Sequence, residues 1–312
     1  MADSYTKVSD IIIPEIFNPY LIEETTKKSA FINSGIATSD PSVKLSEGGK
    51  TINVPMFKDI DDDDEVLADG TGLTVHNIDT AESIAVIHAR GIAYGATDLS
   101  KAFSGADPLG AIGGKMGELW ARKMQKVAIS SLEGVFGVAE MAESVNDQST
   151  AVLTADIMAD SMFLLGDAYN KITCVAMHSA VLAKLKKLEL VDWVQPSELT
   201  LGFYTYMEKR VIVDDSIAPD TGVYPIYFFG AGALSYNESD VLTKIEYERD
   251  AKLGQDALYS RRFFTMHPRG MKWKGTPAGE TPTNAELATA ANWELAADRK
   301  NVAIALLKVK TA

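Results

Sequence analysis

The stretch Asp107–Gly137, DPLGAIGGKMGELWARKMQKVAISSLEGVFG, predicts one long amphipathic helix around which the rest of the chain is arranged. Asp107 is a suitable N-cap, and Pro108 stands at the first helical position, where a missing N–H costs nothing. Apolar residues then recur at steps of mostly three and four, which is the spacing of one helical face. The expected core face of this helix comprises Leu109, Ile112, Met116, Leu119, Trp120, Met124 and Val127.

Glycines weaken the beginning of this predicted helix. Each glycine inside a helix costs about 1 kcal/mol relative to alanine. The helix therefore needs tertiary support or a close neighbour at its start, where the glycines are Gly110, Gly113, Gly114 and Gly117. Gly134 and Gly137 offer places for the helix to end.

The overall composition indicates a folded protein that does not grip nucleic acid. Of 312 residues, 46% are hydrophobic, which is ordinary for one large or two medium domains. Lys and Arg number 30 and Asp and Glu number 43, so the formal net charge of -13 disfavours phosphate binding. Cys174 is the only cysteine, which excludes a disulfide framework. The polar start and the lack of an apolar run of about 18 residues predict neither a secretion signal nor a membrane span.

Upstream of the helix, the sequence predicts an N-terminal arm and a long β-hairpin. Residues 1–45 show scattered apolar residues without a sustained period, with a short helix expected at Leu21–Ala30. Thr51–Phe57 and Ser83–Tyr94 alternate as strands do, and an acidic, turn-rich segment separates them. Such a hairpin has too little surface of its own to be stable alone, so it implies a partner surface.

The residues expected to contact a neighbouring subunit lie on the two strands and in the acidic segment between them. The acidic run is expected to be a solvated loop, with pairing to a basic patch of another subunit as an alternative. The predicted contact residues are Ile52, Val54, Met56, Asp61, Asp62, Asp63, Asp64, Ile84 and Val86.

Downstream of the helix, the patterns predict α/β material and then a strand-rich end. Thr154 caps an expected helix Ala155–Tyr169, Ile172–Met177 is a short apolar strand, and Ser179 caps an expected helix Ala180–Leu188. Strand-like segments follow from Phe203 onward, separated by turn residues. A helix at Asn284–Ala290 and a closing strand at Asn301–Leu307 end the chain, and the fold class is α+β.

The sequence contains no recognisable catalytic, cofactor-binding or metal-binding motif. Lys44–Thr51 ends like a phosphate-binding loop but lacks its first glycine and leads into a strand. Gly230-Ala231-Gly232 lacks the third glycine and the helix of a dinucleotide site. The run from Asp59 misses the glycine and the last glutamate of a calcium loop, and Cys174 with His178 has no further zinc ligand nearby. We therefore predict no catalytic residue, no cofactor and no metal ligand, and a soluble enzyme without a recognisable motif stays as an alternative.

Taken in order, these parts resemble the major capsid proteins of tailed bacteriophages, which have the Hong Kong 97 fold. The resemblance covers nearly the whole chain. It rests on the order and residue patterns of structural segments rather than on a catalytic signature. It is carried by IIIPEIFNPYLIEET, GGKTINVPMF, ARGIAYGATDLSKAFSGADPLG, ITCVAMHSAVLAKLKKL, KRVIVDDS, YPIYFFGAGALSY, IEYERD and RRFFTMHPRGMKW.

The resemblance implies a division of the chain into arm, loop, peripheral and axial parts. Residues 1–45 would be the N-terminal arm and 46–104 the extended loop that lies across a neighbouring subunit. Residues 105–144 would hold the spine helix of the peripheral domain, 145–237 the axial domain, and 238–312 the closing strands of the peripheral domain.

The resemblance also implies a structural function. The chain would assemble with itself, as pentamers and hexamers, into an icosahedral head that encloses double-stranded DNA without sequence-specific binding. Separate scaffold and portal proteins, and a candidate decoration protein, would be its other partners, with no membrane involved. It would be made in the host cytoplasm and end in the capsid shell of the virion. A nanocompartment shell of the encapsulin type, which shares the fold but packages enzymes, is the alternative.

Overall fold

The computed structural model describes residues 31, 34–40, 45, 49–57, 60, 63–66, 72–78, 80–105, 108–194, 202–239, 242 and 245–311. The expected short helix Leu21–Ala30 and the N-cap Asp107 lie outside these residues. The helices include α1 (Asp98–Ser104), α2 (Pro108–Phe136), α3 (Ala155–Met162), α4 (Ser179–Lys187) and α5 (Asn284–Leu287).

The strands account for more of the described chain than the helices do. They are β1 (Ala37–Ser39), β2 (Thr51–Phe57), β3 (Thr80–Thr97), β4 (Val145–Val152), β5 (Ile172–Met177), β6 (Asp192–Val194), β7 (Phe203–Tyr206), β8 (Lys209–Val213), β9 (Val223–Gly230), β10 (Leu234–Ser239), β11 (Ile245–Asp250), β12 (Gln255–Pro268), β13 (Met271–Trp273), β14 (Trp293–Leu295) and β15 (Ile304–Lys310).

Two larger sheets organise these strands. A six-stranded sheet runs β1-β10-β12-β3-β2, with β11 also paired to β12. A seven-stranded sheet runs β4-β15-β9-β5-β8-β7-β6, and β13 pairs with β14 separately. Because both parallel and antiparallel pairs occur and the helices are not interleaved regularly with the strands, the architecture is α+β.

The predicted β-hairpin is present, and its second strand is longer than expected. β2 covers Thr51–Phe57 as predicted and pairs antiparallel with β3, with Thr51 opposite Val86 and Phe57 opposite Thr80. β3 extends three residues beyond the expected Tyr94, since β12 runs beside it as far as the pair Thr97 and Gln255. A ladder partner supplies hydrogen bonds where the alternation in the sequence has already ended.

The long helix spans almost the whole predicted stretch despite its glycines. α2 runs from Pro108 to Phe136, and Gly137 follows it, as one of the two expected end points. It passes through Gly134, the other expected end. Tertiary packing stabilises it, since its face contributes Met124, Val127 and Leu132 to a large buried cluster.

Several shorter helices differ from the sequence expectation at their ends. The Thr154 cap of α3 is present, with its Oγ1 accepting from the Ile157 N–H at 3.4 Å. The helix ends at Met162 rather than at Tyr169, and a 3-10 helix follows at Gly166–Lys171. α4 is capped by His178 and not by Ser179, because the His178 ring Nδ1 accepts from the Ala180 N–H at 3.0 Å.

The expected closing segment differs in both its helix and its strand. The helix predicted at Asn284–Ala290 is the short α5, which Thr283 and Glu286 close with a capping box. The strand predicted at Asn301–Leu307 is β15, shifted to Ile304–Lys310. β15 lies between β4 and β9 in the seven-stranded sheet, not with the long strands β3 and β12. The end of the chain is therefore built into the part expected to be axial.

The seven-stranded sheet separates two hydrophobic cores. On β9, Tyr227 and Phe229 point toward α2 and join the larger cluster, while Ile226 and Phe228 join the cluster against α3 and α4. Successive side chains of a strand point to opposite faces, so this central strand is buried on both sides. That explains why VYPIYFFG reads as a nearly continuous apolar run.

Candidate assembly surfaces

The paired part of the hairpin is half covered by its own chain. The Ile52, Val54 and Ile84 side chains are half-buried, whereas that of Phe57 is 77% exposed. Val86 differs from the expectation, because it is 1% exposed and belongs to the larger core. Val86 thus packs within its own subunit, and the contact surface begins further toward the tip. The side chain of Met56 lies outside what the structure describes.

The described residues of the hairpin tip expose apolar side chains to solvent. Val66 is 94% exposed and Val75 is 90% exposed, and Ile60, Leu73 and Ile78 are also exposed. Sequence reasoning missed these residues because the acidic run dominated the segment. Isolated exposed apolar residues are common, but five of them within the short segment between β2 and β3 indicate an interaction surface.

The acidic run is exposed where the structure describes it. Asp63 and Asp64 are exposed, while Asp61 and Asp62 lie outside the described residues. The neighbouring Glu65 carboxylate accepts a hydrogen bond from the Thr74 N–H at 3.1 Å. Hydrogen bonds from the Thr74 side chain and from this N–H hold the pKa of Glu65 below its usual value. This contact ties the two sides of the tip together.

The helix α2 is connected to the hairpin through β12. Met116, Trp120, Met124 and Val127 of the expected core face are buried, Ile112 and Leu119 are half-buried, and the side chain of Leu109 lies outside the described part. The Trp120 Nε1–H donates to Ser260 Oγ on β12 at 2.8 Å. Since β12 is paired along most of β3, this bond links the helix to the root of the hairpin.

Gly113 and Gly117, near the start of α2, do not serve close packing against the described residues. A Cβ added at Gly113 or Gly117 would meet nothing within 4 Å. Gly134 is different, because a Cβ there would lie 2.1 Å from the Leu287 carbonyl oxygen and 2.6 Å from Trp293 Nε1. The close approach of α5 to the helix thus requires glycine at Gly134, a residue that the sequence suggested as an end point.

Ion pairs fasten the far end of β3, where the hairpin strand enters α1. Arg249 on β11 donates to Asp98 Oδ1 at 2.7 Å and lies 2.9 Å from Asp256 Oδ1. The Arg249 hydrogen bond lowers the pKa of Asp98, and hydrogen bonds from Tyr247 and Arg249 lower that of Asp256. These partners join α1, β11 and β12 at a solvent-exposed corner, where such pairs contribute orientation more than stability.

The described residues show buried polar groups but no arrangement suited to catalysis. Cys174 is buried, and His88 and His267 lie in the core, where burial lowers the pKa of His88 to about 3 and that of His267 to about 4. Within the described residues, no three His, Cys, Asp or Glu side chains come together as metal ligands, and no helix is long and apolar enough to cross a membrane. β10 begins at Leu234, two residues after Gly232, so no helix opens after Gly230-Ala231-Gly232.

Comparison with known proteins finds similarity to major capsid proteins. Residues 76–304 match the family described as Gp13-like, major capsid protein 13-like. The chain is 40% identical over 318 residues to the major capsid protein of Bacillus phage SPP1, covering 98% of each sequence.

Solved structures resemble the whole subunit at low sequence identity. The capsid protein of cyanophage Pam1 matches with a TM-score of 0.60 and 11% identity, over 100% of both chains. The SrpI encapsulin of Synechococcus elongatus PCC 7942 matches with a TM-score of 0.62 and 10% identity, over 95% of this chain and 94% of that one. These likenesses show the fold, and the predicted α+β fold of the Hong Kong 97 type is confirmed.

Proposed function

This chain belongs to the Gp13-like family of major capsid proteins, and we propose that its copies close into the icosahedral head of a tailed phage around double-stranded DNA. It is a structural protein and not an enzyme. As a capsid protein, it works as one of many copies in a shell.

The exposed apolar hairpin tip is the observation that carries this proposal. Val66 and Val75 are almost fully exposed in the isolated subunit, and the described residues between β2 and β3 contribute nothing to either hydrophobic core. A neighbouring copy would cover them, and each copy would in turn cover the hairpin of another. Repetition around a closed shell then adds many modest contacts into a stable particle.

The two sheets and the hairpin provide the basis for dividing the subunit into structural parts. We propose that the β2–β3 hairpin is the extended loop, that α2 with the six-stranded sheet is the peripheral part, and that the seven-stranded sheet is the axial part. The supporting observation is that the larger core combines residues of α2 and of both sheets, whereas the second core lies on the other face of the seven-stranded sheet, against α3 and α4. In this division β15 belongs to the axial sheet, so the peripheral part ends before it.

The acidic character of the chain suits a container for DNA. A formal net charge of -13 opposes tight binding of the subunit to phosphates, so packed DNA would not adhere to the shell. The further partners that we propose are a separate scaffold protein, a portal and a decoration protein, with synthesis in the host cytoplasm and the virion shell as destination.

Electron microscopy of natively isolated particles tests this function. A phage head is expected to contain DNA and to show one vertex for tail attachment. Protein cargo without DNA would instead indicate a nanocompartment, an alternative that the likeness to the SrpI encapsulin keeps in view. A sharp 33.7 kDa monomer in sedimentation, at every salt and protein concentration, would contradict both.

A further inference from the structure

A cavity of about 610 Å³ beside the second half of α2 carries a positive charge that contrasts with the acidic chain. Arg122, Lys123 and Lys126 line this cavity. Glu133, which is near Lys126, is the only acidic residue among the described residues of its wall. The whole chain has a formal net charge of -13. This cavity, which we call the basic groove, is therefore a local site of attraction for anionic groups.

The cations of the basic groove are available to a partner. Lys123 and Lys126 are exposed, and Arg122 Nε is buried with no hydrogen-bond partner among the described residues. The ion pairs that the described residues form use other cations, such as Arg249 and Arg262. Because a buried polar atom without a partner is costly, a carboxylate that reaches Arg122 would stabilise the groove.

The basic groove also has an apolar side. Leu119 of α2 and Pro225 of β9 lie in its wall, and the buried Ile217 lies deeper. The side chains of Leu119 and Pro225 are half-buried, so part of their surface faces the groove's opening to solvent. An occupant that combines carboxylates with apolar side chains would match both properties of the groove.

The hairpin tip combines these two properties on a short segment. Residues 63–66 comprise three exposed acidic side chains followed by Val66, which is almost fully exposed. The Glu65 carboxylate accepts a hydrogen bond from the Thr74 N–H at 3.1 Å. This bond places Val75, which is also almost fully exposed, beside the acidic residues. The tip thus presents carboxylates and apolar side chains together.

The spacing of the two charged sets is compatible. Arg122 and Lys126 are four residues apart on a helix, which corresponds to about 6 Å along its axis. Asp63 and Glu65 are two residues apart, a distance of up to about 7 Å in an extended chain. The acidic side chains of one tip can therefore face both ends of the basic set at the same time.

We propose that the hairpin tip of one copy docks into the basic groove of a second copy. The Asp63 and Asp64 carboxylates pair with Arg122, Lys123 and Lys126, and the valines of the tip lie on the apolar side of the groove. This inference rests on the proposed assembly function and adds to it the surface that receives the tip. Because each copy offers one tip and one groove, the contact is head-to-tail, a type of contact that closes into rings when the rotation permits.

Charge reversal in the full-length chain tests the pairing. The variants are Asp63→Lys with Asp64→Lys, Lys123→Glu with Lys126→Glu, and all four together. They are produced in the native host, and closed particles are counted by electron microscopy. Either pair alone is expected to lower the particle yield about tenfold or more, because like charges then face each other. All four together are expected to restore most of the yield, since opposite charges face each other again.

A normal yield from either pair, or no restoration by the four substitutions together, would overturn the docking. Thermal unfolding of each variant subunit verifies that it is folded. Particles of Lys123→Glu with Lys126→Glu that form normally but retain less DNA would show that the groove receives nucleic-acid phosphates. That result would also contradict the docking of a tip.

The matched control changes the same number of charges outside the groove. Lys187 at the end of α4 and Lys274 after β13 are both exposed. Lys187→Glu with Lys274→Glu is expected to leave the particle yield unchanged. Combined with the reversed tip, this pair is expected not to restore the yield. Restoration would show that the net charge of the chain, rather than the groove, governs assembly, and the proposal would be wrong.

Disulfide trapping in assembled particles gives an independent measurement. Cys174 is the only natural cysteine and is buried, so two introduced cysteines dominate the exposed thiols. Asp64→Cys with Lys123→Cys is expected to link chains under mild oxidation, seen as a ladder of multimers on a denaturing gel without reductant. The control, Asp64→Cys with Lys187→Cys, is expected to give no ladder. Equal ladders, or a disulfide formed only within one chain, would refute the docking between copies.

The outcomes separate this inference from the proposed function. Closed wild-type particles, together with the absence of a ladder from Asp64→Cys with Lys123→Cys, would contradict the docking alone. A wild-type chain that stays monomeric under every condition would contradict the assembly function and the docking with it.

Discussion

Among single residues, Gly134 shows how one missing side chain sets the position of an element. The Trp293 Nε1–H donates to the Leu287 carbonyl oxygen at 2.7 Å, and Gly134 lies directly against both groups. A methyl group there meets backbone and a rigid ring, neither of which yields easily. Gly113 and Gly117, toward the other end of the same helix, have no described residue within 4 Å of an added Cβ, so their role differs.

Substitution of these glycines by alanine is expected to have opposite effects. Gly134→Ala forces α5 away from the helix and is expected to lower the free energy of unfolding by about 1–3 kcal/mol. Gly113→Ala removes a helix-weakening residue without a clash and is expected to raise it by about 1 kcal/mol. Denaturant unfolding of unassembled subunits measures both, and a shift of the same sign in the two variants would contradict this assignment.

The buried histidines make the subunit sensitive to acid. Burial, with the nearby charges of Arg90 and His267, lowers the pKa of His88 to about 3 from 6.5, and burial lowers that of His267 to about 4. Below pH 6.5 the unfolded chain therefore binds more protons than the native one. The stability that these histidines contribute is complete above pH 6.5 and is lost as the pH falls toward the folded values, by up to about 1.4 kcal/mol per pH unit for each histidine.

Replacement of one histidine is expected to reduce this pH dependence. His88→Leu keeps an apolar core contact with Phe264 and removes one titrating group, so the unfolding free energy should fall less steeply between pH 6.5 and 5. The exposed His76 provides a matched control, and His76→Leu is expected to retain the wild-type slope. The measurement is urea unfolding across this pH range, and an unchanged slope in His88→Leu would refute the expectation.

At the scale of elements, the two ends of the hairpin differ in how they are held by the rest of the subunit. The root of the hairpin is held by β12 and, through Ser260, by Trp120 of the helix. The described part of the tip has exposed apolar side chains and a hydrogen bond from the Thr74 N–H to the Glu65 carboxylate. Folding of the subunit therefore depends on the root, while the tip is available for a neighbour.

Removal of the hairpin tip is expected to separate folding from assembly. In the variant, a short turn replaces residues 59–79, which leaves the β2–β3 ladder up to the pair Phe57 and Thr80. The subunit should keep its thermal unfolding midpoint within a few degrees and yet fail to form stable shells. Calorimetry and electron microscopy report these two properties, and normal shells from the variant would remove the assigned role of the tip.

At the scale of the whole molecule, the last strand joins distant parts of the chain. β15 pairs in parallel with β4 and antiparallel with β9, so residues near 305 lie between segments that begin at 145 and 223. Its Ala305 and Leu307 enter one core, and its Ile304 and Leu306 enter the other. The strand is thus a shared wall of both cores.

Truncation of the C-terminus tests this placement. Deletion of residues 304–312 removes an interior strand and both sets of buried side chains, so the subunit is expected not to fold and to be digested rapidly. Deletion of residues 311–312 alone is the control and should leave thermal unfolding unchanged. A folded product from the longer deletion would show that β15 is dispensable.

The elements that local pattern defines were predictable, and their long-range partners were not. Strands Thr51–Phe57 and Ile172–Met177 and the helix that ends just before Gly137 follow from periodicity and from turn residues. The capsid fold followed from the order of such segments. The burial of Val86, the added length of β3 and the place of β15 in the seven-stranded sheet were decided by tertiary structure. They depend on which segments pack side by side, such as Ile87 and Thr265, which lie 178 residues apart in the chain, and that pairing leaves no periodic trace in the sequence.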